Sequence, residues 1–366
     1  MQNDFIVLAT RSMQEYTDRV VQHLLHFPSF QEKAELINQV GSLRVDLFAD
    51  GELEVAVGTS LRGKDVYLFS SAARNPAGIP VEEAKIELYH AIDALKRAQA
   101  ERICVFEPYV TCSRSDRTTR RNSVGLWIHF KILSSLGACH IITYQLHSDK
   151  SKSMVDPTIC AIDDVPGLKL LKQYLCDRYI QSVDFLRNVV RSQWAFCSVD
   201  AGGEKLARTF ANAFGAPLVV AHKQRDYSRA NTVESINILS AEPIEGKVLW
   251  IVDDMIDTAG SVYSLINALE KFHPTEINLA AVHAVFSSPA LERLTELTRR
   301  GLLKHIVVTD TVYCPECFGE DLPNLEVVSS TELSAHIIAT IALDKSLGKL
   351  LEPFNAEAYL SRPRLF

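Results

Sequence analysis

The chain has 366 residues, 47% hydrophobic and 23% charged, a composition typical of a globular protein of roughly two domains. Its formal net charge of -7 argues against bulk electrostatic binding to nucleic acid or anionic membranes, so any phosphate recognition must be local. No apolar run approaches the roughly 20 residues of a membrane-spanning helix, and the N-terminus lacks the basic start of a signal peptide. We therefore expect a cytoplasmic protein that binds neither nucleic acid nor membrane.

Predicted strands and helices alternate along the chain, which indicates an α/β protein with mainly parallel sheets. The first half has predicted strands at 45–57, 65–71, 102–110 and 139–147, and helices at 79–100 and 123–137. The second half has predicted strands at 194–200, 217–222, 236–240, 248–252, 277–287 and 304–312, and helices at 204–215, 262–272 and 289–300.

The two halves share a similar order of elements, and no low-complexity linker separates them. Pro166 and Gly167 precede a long amphipathic helix that we expect to continue to about Arg191. We therefore predict one domain at 1–163, a second at 164–346 and a C-terminal tail at 347–366.

The eight cysteines are scattered, mostly inside apolar strand-like segments, and are interpreted as buried thiols of a reducing compartment. Cys314 and Cys317 form a CxxC pair, which can be half of a zinc site or a redox pair. Because no second CxxC or Cys/His cluster lies nearby, a structural or incidental role is favoured over a metal or redox role.

The segment 248–262, VLWIVDDMIDTAGSV, is the most informative part of the sequence. An apolar strand ends at two carboxylates, Asp253 and Asp254, and small or hydroxylated residues then lead into a helix. Such a turn supplies backbone N–H donors and a helix N-terminus to a phosphate, while the acids suit ribose hydroxyls or a phosphate-bound Mg²⁺. The alternative is an ordinary strand–helix turn with acidic capping residues. The pattern resembles the phosphoribosyl pyrophosphate loop of the phosphoribosyltransferase fold.

A broader resemblance covers roughly residues 40 to 345. The segments FADGE (48–52), PYVTCSRSDR (108–117), TYQLHS (143–148), SVDAGG (198–203), AHKQR (221–225) and DDMIDTAGS (253–261) resemble, in order, motifs of the ribose-phosphate pyrophosphokinases, or PRPP synthetases. The resemblance implies an α/β fold of two tandem phosphoribosyltransferase-like domains, usually assembled as a homo-hexamer built from dimers. It also implies transfer of the β,γ-pyrophosphoryl group of ATP to the 1-hydroxyl of ribose 5-phosphate, with Mg²⁺ as cofactor.

The same resemblance assigns roles to individual residues. For His147 and Asp200, which it assigns to the metal site, the residues alone leave alternatives. His147 could be an ordinary histidine, and Asp200 could be a helix cap. The implied catalytic pair, Lys223 and Arg225, could likewise be part of a solvated charged loop. The implied ATP-binding residues are Phe48, Asp50, Glu52, Arg114, Ser115 and Asp116, the ribose 5-phosphate-binding residues are Asp253, Asp254, Asp257, Thr258, Ala259, Gly260 and Ser261, and the metal-site residues are His147 and Asp200.

The chain also departs from the family pattern. Ser115 replaces a glutamine at the ATP segment, and Gln145 replaces an aspartate next to the metal-site histidine. The segment after His147 differs from the family, and extra residues occur before Val45 and between Leu170 and Ser192. These departures leave open a non-catalytic regulatory paralogue. A transferase that consumes PRPP is a weaker alternative, because such enzymes typically have one domain.

Overall fold

The computed structural model describes residues 4–118, 120–224, 235–315 and 322–362. Strands and helices alternate along the chain as predicted from the sequence, and the mainly parallel α/β class is confirmed. The strands are β1 (Phe5–Ala9), β2 (Leu43–Leu47), β3 (Leu53–Val57), β4 (Asp65–Phe69), β5 (Ile103–Phe106), β6 (His140–Tyr144), β7 (Ala161–Val165), β8 (Trp194–Ser198), β9 (Leu218–Gln224), β10 (Ser235–Ser240), β11 (Val248–Ile256), β12 (Glu276–Ala284), β13 (His305–Thr309) and β14 (Leu325–Val328).

Helices connect most of these strands. None of the helices among the described residues is both long and apolar enough to cross a membrane. They are α1 (Gln14–Leu24), α2 (Pro28–Gln31), α3 (Ala34–Ile37), α4 (Val81–Arg97), α5 (Gly125–Leu136), α6 (Leu168–Leu175), α7 (Val183–Phe185), α8 (Arg191–Gln193), α9 (Glu204–Phe214), α10 (Gly260–Leu269), α11 (Ala290–Arg299), α12 (Thr331–Ala342), α13 (Gly348–Leu351) and α14 (Ala356–Leu360).

The described residues form two compact units. The first takes those within Met1–Pro166, Thr311–Glu316 and Ser329–Leu351, and the second takes those within Gly167–Asp310, Cys317–Val328 and Glu352–Phe366. These units differ from the predicted ranges of 1–163, 164–346 and 347–366 in that α12 clusters with the first unit, and the part of the predicted tail from Glu352 clusters with the second.

The first unit contains a parallel five-stranded sheet in the order β1-β4-β5-β6-β7, and a separate antiparallel hairpin of β2 and β3. Apolar residues of α4 and α5 cover one face of the sheet, and those of α1 and α12 cover the other. Burial on both faces explains why β4 is apolar at nearly every position. Strand β1, which the sequence did not predict, is an edge strand of this sheet.

The second unit contains a seven-stranded sheet in the order β10-β9-β8-β11-β12-β13-β14, parallel except for β10 against β9. Helices α10 and α11 pack on one face, and α6 and α9 pack on the other. In a parallel sheet of this kind ligands bind outside the carboxyl ends of the strands. At that edge the sheet places the end of β11 beside the ends of β8 and β12.

The helix predicted after Gly167, with its continuation to about Arg191, is divided into two helical segments in the structure. The first runs through α6 into a π-helical turn at Cys176–Ile180, and Gln181 then adopts a left-handed backbone with φ 62°. The Ser182 side chain accepts the N–H of Phe185 at 3.1 Å and begins the second segment. A left-handed residue followed by a serine cap ends one helix and starts another.

Candidate active site

Strand β11 carries the acidic pair at its end. It pairs with β8 from Val248 to Val252 but continues beside β12 as far as Ile256. The two aspartates, predicted to follow the strand, therefore belong to its last residues. Since β8 has already ended at Ser198, this final stretch of β11 borders the carboxyl edge where ligands of parallel sheets bind.

Asp253 and Asp254 form a closely spaced pair of carboxylates. Asp254 is 4% exposed, and its backbone N–H donates to Asp253 Oδ1 at 2.9 Å. Burial raises the pKa of Asp253 well above its usual value, and the charges of Asp254 and, to a smaller extent, Asp200 raise it further. A cation or a ligand hydroxyl would relieve this repulsion, so the pair is suited to bind a partner.

The turn after β11 has the geometry of an anion-binding loop. Ala259 adopts a left-handed backbone with φ 56°, and the ten-residue helix α10 starts at the next residue. Thr258 is exposed, while Asp257, Gly260 and Ser261 are partly exposed. The first N–H groups of a helix have no acceptor within the helix, so this turn presents donors and the positive end of the helix dipole. The structure thus brings together all seven residues predicted to bind ribose 5-phosphate.

Arg293 of α11 contacts this turn and was not predicted from sequence. Its Nη1 donates to the Thr258 carbonyl at 2.8 Å. A Cβ atom added to Gly260 would lie only 3.1 Å from the same nitrogen, which gives glycine a steric reason at that position. No sequence pattern marks Arg293, because it is far from the loop motif along the chain.

Asp200 lies in the loop between β8 and α9, at the same edge of the second unit's sheet. Its Oδ1 accepts the N–H of Gly203 at 3.0 Å, so it orders the loop that precedes α9. Its negative charge contributes to the raised pKa of Asp253, which shows that the two carboxylates share one electrostatic environment. The capping role and a role toward a ligand are compatible, because one carboxylate has several acceptor positions.

His147 follows β6 in the first unit and is exposed. The turn before it is firmly held: Gln145 has φ 48°, and the N–H of Leu146 donates to Asp164 Oδ1 at 2.9 Å. Lys152 Nζ lies 3.5 Å from the other oxygen of Asp164. Burial raises the pKa of Asp164, although the Leu146 N–H and Lys152 oppose this effect. A carboxylate from β7 therefore stands beside the turn in which Gln145 replaces the family's aspartate.

Two segments of the first unit carry the predicted ATP-binding residues. Phe48 is 51% exposed at the tip of the β2–β3 hairpin, with Asp50 and Glu52 exposed beside it. Arg114 is exposed in the segment between β5 and α5, and Asp116 is partly exposed.

Ser115, in the same segment, has a structural contact. Its Oγ accepts the N–H of Gly125 at 2.9 Å, and its carbonyl accepts the N–H of Leu126 at 3.2 Å. The residue therefore orders the start of α5. This contact gives the serine that replaces the family's glutamine a local role in shaping the ATP segment.

The predicted catalytic pair lies at the limit of the described structure. Lys223 belongs to the end of β9, where it pairs with Ile236 of β10. Arg225 lies outside the described residues.

The cysteines are largely as expected. Cys104, Cys160, Cys176 and Cys197 are buried free thiols, and Cys112 and Cys139 are partly buried free thiols. Cys314 of the CxxC pair is buried but disulfide-bonded, so the expectation of a free thiol is wrong for this residue, and Cys317 lies outside the described residues.

Within the described part of the chain, no group of three or more His, Cys, Asp or Glu side chains is arranged to hold a metal ion. The carboxylates at the sheet edge of the second unit nevertheless have the ligand chemistry that a hard cation requires. Asp200, Asp253 and Asp254 supply oxygen atoms, the ligand type that Mg²⁺ prefers, and Mg²⁺ keeps several waters and needs few protein ligands. Burial is the main cause of the raised pKa of Asp253, and the neighbouring charges of Asp254 and Asp200 add to it, so a cation bound here would favour the ionised carboxylates.

Comparison with known proteins agrees with this arrangement. The family model described as the N-terminal domain of ribose phosphate pyrophosphokinase matches residues 5–137, and the phosphoribosyl transferase domain model matches residues 174–297. Ribose-phosphate pyrophosphokinase 2 of Enterococcus faecalis is 31% identical over 318 residues, which is 87% of this chain and 90% of that protein. Ribose-phosphate pyrophosphokinase 1 of Spinacia oleracea is 32% identical over 316 residues, 86% of each chain.

A solved structure extends the similarity to the fold. The crystal structure of phosphoribosylpyrophosphate synthetase from Mycobacterium smegmatis has a TM-score of 0.76 and 27% identity, covering 93% of this chain and 99% of that one. The expected fold of two phosphoribosyltransferase-like domains is thereby confirmed. On this evidence the chain belongs to the ribose-phosphate pyrophosphokinase family.

Proposed function

We propose that the protein is a ribose-phosphate pyrophosphokinase that makes phosphoribosyl pyrophosphate and AMP from ATP and ribose 5-phosphate. The observation that supports this most directly is the end of β11, where the partly buried Asp253 and the buried Asp254 are followed by an anion-binding turn at the start of α10. An acidic pair suits the ribose hydroxyls, and the turn suits the 5-phosphate of the same molecule. One short segment can therefore hold both ends of ribose 5-phosphate.

In the proposed reaction the 1-hydroxyl oxygen of ribose 5-phosphate attacks the β-phosphorus of ATP. A new O–P bond forms, the bond from the β-phosphorus to the oxygen bridging the α-phosphate breaks, and AMP leaves with that oxygen. The hydroxyl proton goes to water or to a nearby base. The protein contributes mainly position and charge, because phosphoryl transfer is catalysed by alignment and by stabilising negative charge.

The turn from Asp257 to Ser261 would hold the 5-phosphate through backbone N–H groups and hydroxyls. Asp253 and Asp254 would accept hydrogen bonds from the ribose hydroxyls, which fixes the sugar against the strand end. A sugar held at two ends presents its 1-hydroxyl in one orientation, and such orientation is a large part of the rate enhancement available to this reaction.

Charge on the transferring group would be stabilised by the basic pair Lys223 and Arg225. Phe48, Asp50, Glu52, Arg114, Ser115 and Asp116 are our proposed ATP-binding residues. Mg²⁺, when bound, would neutralise and orient the ATP phosphates. Asp200 and His147 are proposed as metal-site residues, each in its own unit.

The remaining assignments are part of the same proposal. We propose domains at 1–163 and 164–346 with a tail at 347–366, a homo-oligomer that is a hexamer built from dimers, and a cytoplasmic location. Equilibrium sedimentation of the purified chain would test the oligomer directly.

The function is tested by measuring AMP release from ATP with ribose 5-phosphate and Mg²⁺, using a coupled assay on purified, folded protein. Reactions lacking ribose 5-phosphate or containing excess chelator are the controls, and we expect AMP only in the complete mixture. Absence of AMP in the complete mixture, with or without inorganic phosphate, would reject the proposal and favour a regulatory paralogue.

The basic pair has its own test. Lys223→Ala is expected to lower kcat by about 100-fold or more, because it removes a cation that acts on the transition state. Affinity for ribose 5-phosphate should change little. Lys205→Ala, at an exposed position of α9, is the matched control. Equal turnover in the Lys223 variant and the parent would remove Lys223 from this role.

A further inference from the structure

The loop motif is negatively charged, and its own sequence contains no basic side chain to bind a phosphate. Residues 248–261 contain Asp253, Asp254 and Asp257 and no lysine, arginine or histidine. The 5-phosphate of the proposed substrate adds up to two further negative charges near pH 7. Backbone N–H groups and a helix dipole supply only partial positive charge, equivalent to roughly half an elementary charge. A full cation near the turn would strengthen phosphate binding.

Arg293 is placed to supply that cation. It lies on α11, on the face of the sheet that also holds α10, and its Nη1 donates to the Thr258 carbonyl at 2.8 Å. The Gly260 position approaches the same nitrogen so closely that a Cβ there would be 3.1 Å away. The guanidinium therefore reaches two of the residues that form the turn. The same turn is where the 5-phosphate would be bound.

The charge of Arg293 is not consumed by another carboxylate in the described part of the chain. Its guanidinium makes one hydrogen bond there, to the neutral Thr258 carbonyl, and no ion pair. Glu296, one turn along α11, is already engaged by the Tyr263 hydroxyl at 2.9 Å and by Arg300 at 3.4 Å. A guanidinium has five N–H donors, so further donors remain for an anion.

We propose that Arg293 is a ribose 5-phosphate-binding residue, which fixes the turn through Thr258 and directs its remaining donors and its positive charge toward the 5-phosphate. This inference rests on the proposed function of the loop and adds to it a residue from outside the motif. Arginine is suited to the task because its planar fork can bond a carbonyl and a phosphate oxygen at once.

The test is steady-state kinetics of Arg293→Gln with each substrate varied in turn. KM for ribose 5-phosphate is expected to rise about tenfold or more, while kcat and KM for ATP stay within about twofold, because ground-state binding of one substrate is lost. Arg293→Lys keeps the charge and should recover part of that loss. Arg299→Gln, on the exposed end of the same helix, is the matched control and should behave like the parent.

Titration calorimetry with ribose 5-phosphate alone provides a second measurement that does not depend on turnover. The dissociation constant should rise in Arg293→Gln by a factor similar to the rise in KM. Affinity of the parent should also fall more steeply with added salt than that of the variant, since a phosphate–guanidinium pair is screened by ions.

Three outcomes would overturn the inference. Unchanged KM and dissociation constant for ribose 5-phosphate would exclude contact with the substrate. An equal rise in both substrates' KM values would indicate general damage to the sheet edge. Identical salt dependence of parent and variant would show that charge is not involved. A parent enzyme without any AMP release would instead reject the proposed function, so the two failures are distinguishable.

Discussion

The second unit has carboxylates at opposite ends of its sheet whose surroundings differ: Glu326 is partly buried at one end, and the partly buried Asp253 lies beside the buried Asp254 at the other. Glu326, near the start of β14, accepts the Tyr174 hydroxyl at 2.7 Å and the Tyr179 hydroxyl, and it lies 3.3 Å from His305 Nδ1. Asp253, at the end of β11, accepts the backbone N–H of its neighbour Asp254 and faces the carboxylate of that residue.

The pKa values separate the two sites. Burial alone would raise the pKa of Glu326, but the two tyrosine hydroxyls, His305 and Arg178 outweigh it and lower the pKa below its usual value. At Asp253 burial and Asp254 act in the same direction, and the pKa is raised. A partly buried carboxylate surrounded by donors stabilises the fold, whereas a carboxylate placed beside another one at a ligand-binding edge costs stability and is suited to binding.

The largest effect that this contrast predicts is on activity. Asp253→Asn should lower kcat/KM for ribose 5-phosphate by about 100-fold, equivalent to about 2.7 kcal/mol, because the amide cannot replace a charged acceptor for the ribose hydroxyls. Glu326→Gln, at the other end of the sheet, is the control and should leave kcat/KM within about twofold. Comparable losses in both variants would show that the two carboxylates do not differ in function.

The next effect is on stability, and here the large change is expected at Glu326. Glu326→Ala should lower the free energy of unfolding by about 2 to 3 kcal/mol, because two tyrosine hydroxyls lose a charged acceptor in partly buried surroundings. Glu245→Ala, at an exposed position of the same unit, should change it by less than about 0.5 kcal/mol. Urea unfolding followed by circular dichroism gives both values. A small change at Glu326 would mean that the cluster is not a stabilising one.

The sequence predicts the end of the sheet that carries Asp253 better than the end that carries Glu326. The apolar run, the acids and the small residues of 248–261 specify a strand, a turn and a helix through local rules, and the structure has them in that order. Only the strand end was misplaced, since β11 continues through the acids. Its continuation depends on β12 running alongside to Ala284, a pairing that local sequence does not encode.

The contacts that the sequence could not predict are long-range. Glu326 meets Tyr174 and Tyr179 from a segment about 150 positions earlier, and Arg293 meets Thr258 across 35 positions. Strand β1 was missed because five apolar residues near a terminus carry little periodicity, and its partner β4 is distant in sequence. The family resemblance supplied the remaining site residues, but it gave no information on Arg293 or on the Asp164 contact beside His147.

Lys172 is a buried lysine that forms no ion pair with the described residues, and it shows whether such a charge is enough to mark a binding site. It lies on α6, 7% exposed, with its Nζ 2.9 Å from Thr209 Oγ1 and 4.8 Å from the centre of the Phe210 ring. Burial lowers its pKa to about 8. Because it is on a helix and not at the carboxyl edge of the strands, we expect it to affect stability alone.

Lys172→Met should therefore raise the free energy of unfolding at pH 7 by about 1 to 2 kcal/mol without changing kcat. The sign follows from linkage: below pH 8 both states are protonated and the folded state bears the full cost of a buried charge. Between pH 8 and the ordinary lysine pKa of about 10.4 the folded lysine is neutral and the cost disappears. The gain should shrink over that window. Lys205→Met is the exposed control, and a pH-independent gain at position 172 would reject this explanation.

The smallest predicted effect is the change in unfolding free energy caused by Asp253→Asn. Its pH dependence should be opposite to that at Glu326. A carboxyl group whose pKa is raised on folding loses its stabilising contribution as pH rises from the unfolded pKa, about 3.9, through the folded one. The asparagine does not ionise, so the variant should be more stable than the parent by about 1 kcal/mol at neutral pH, with the difference vanishing at acidic pH.

At Glu326 the pKa is lowered, so the greater stability of the parent over Glu326→Gln should instead be present at neutral pH and disappear as pH falls. Unfolding free energies of the three proteins from pH 4 to pH 8 would show these opposite slopes, and slopes of the same sign would contradict the distinction between a binding carboxylate and a stabilising one.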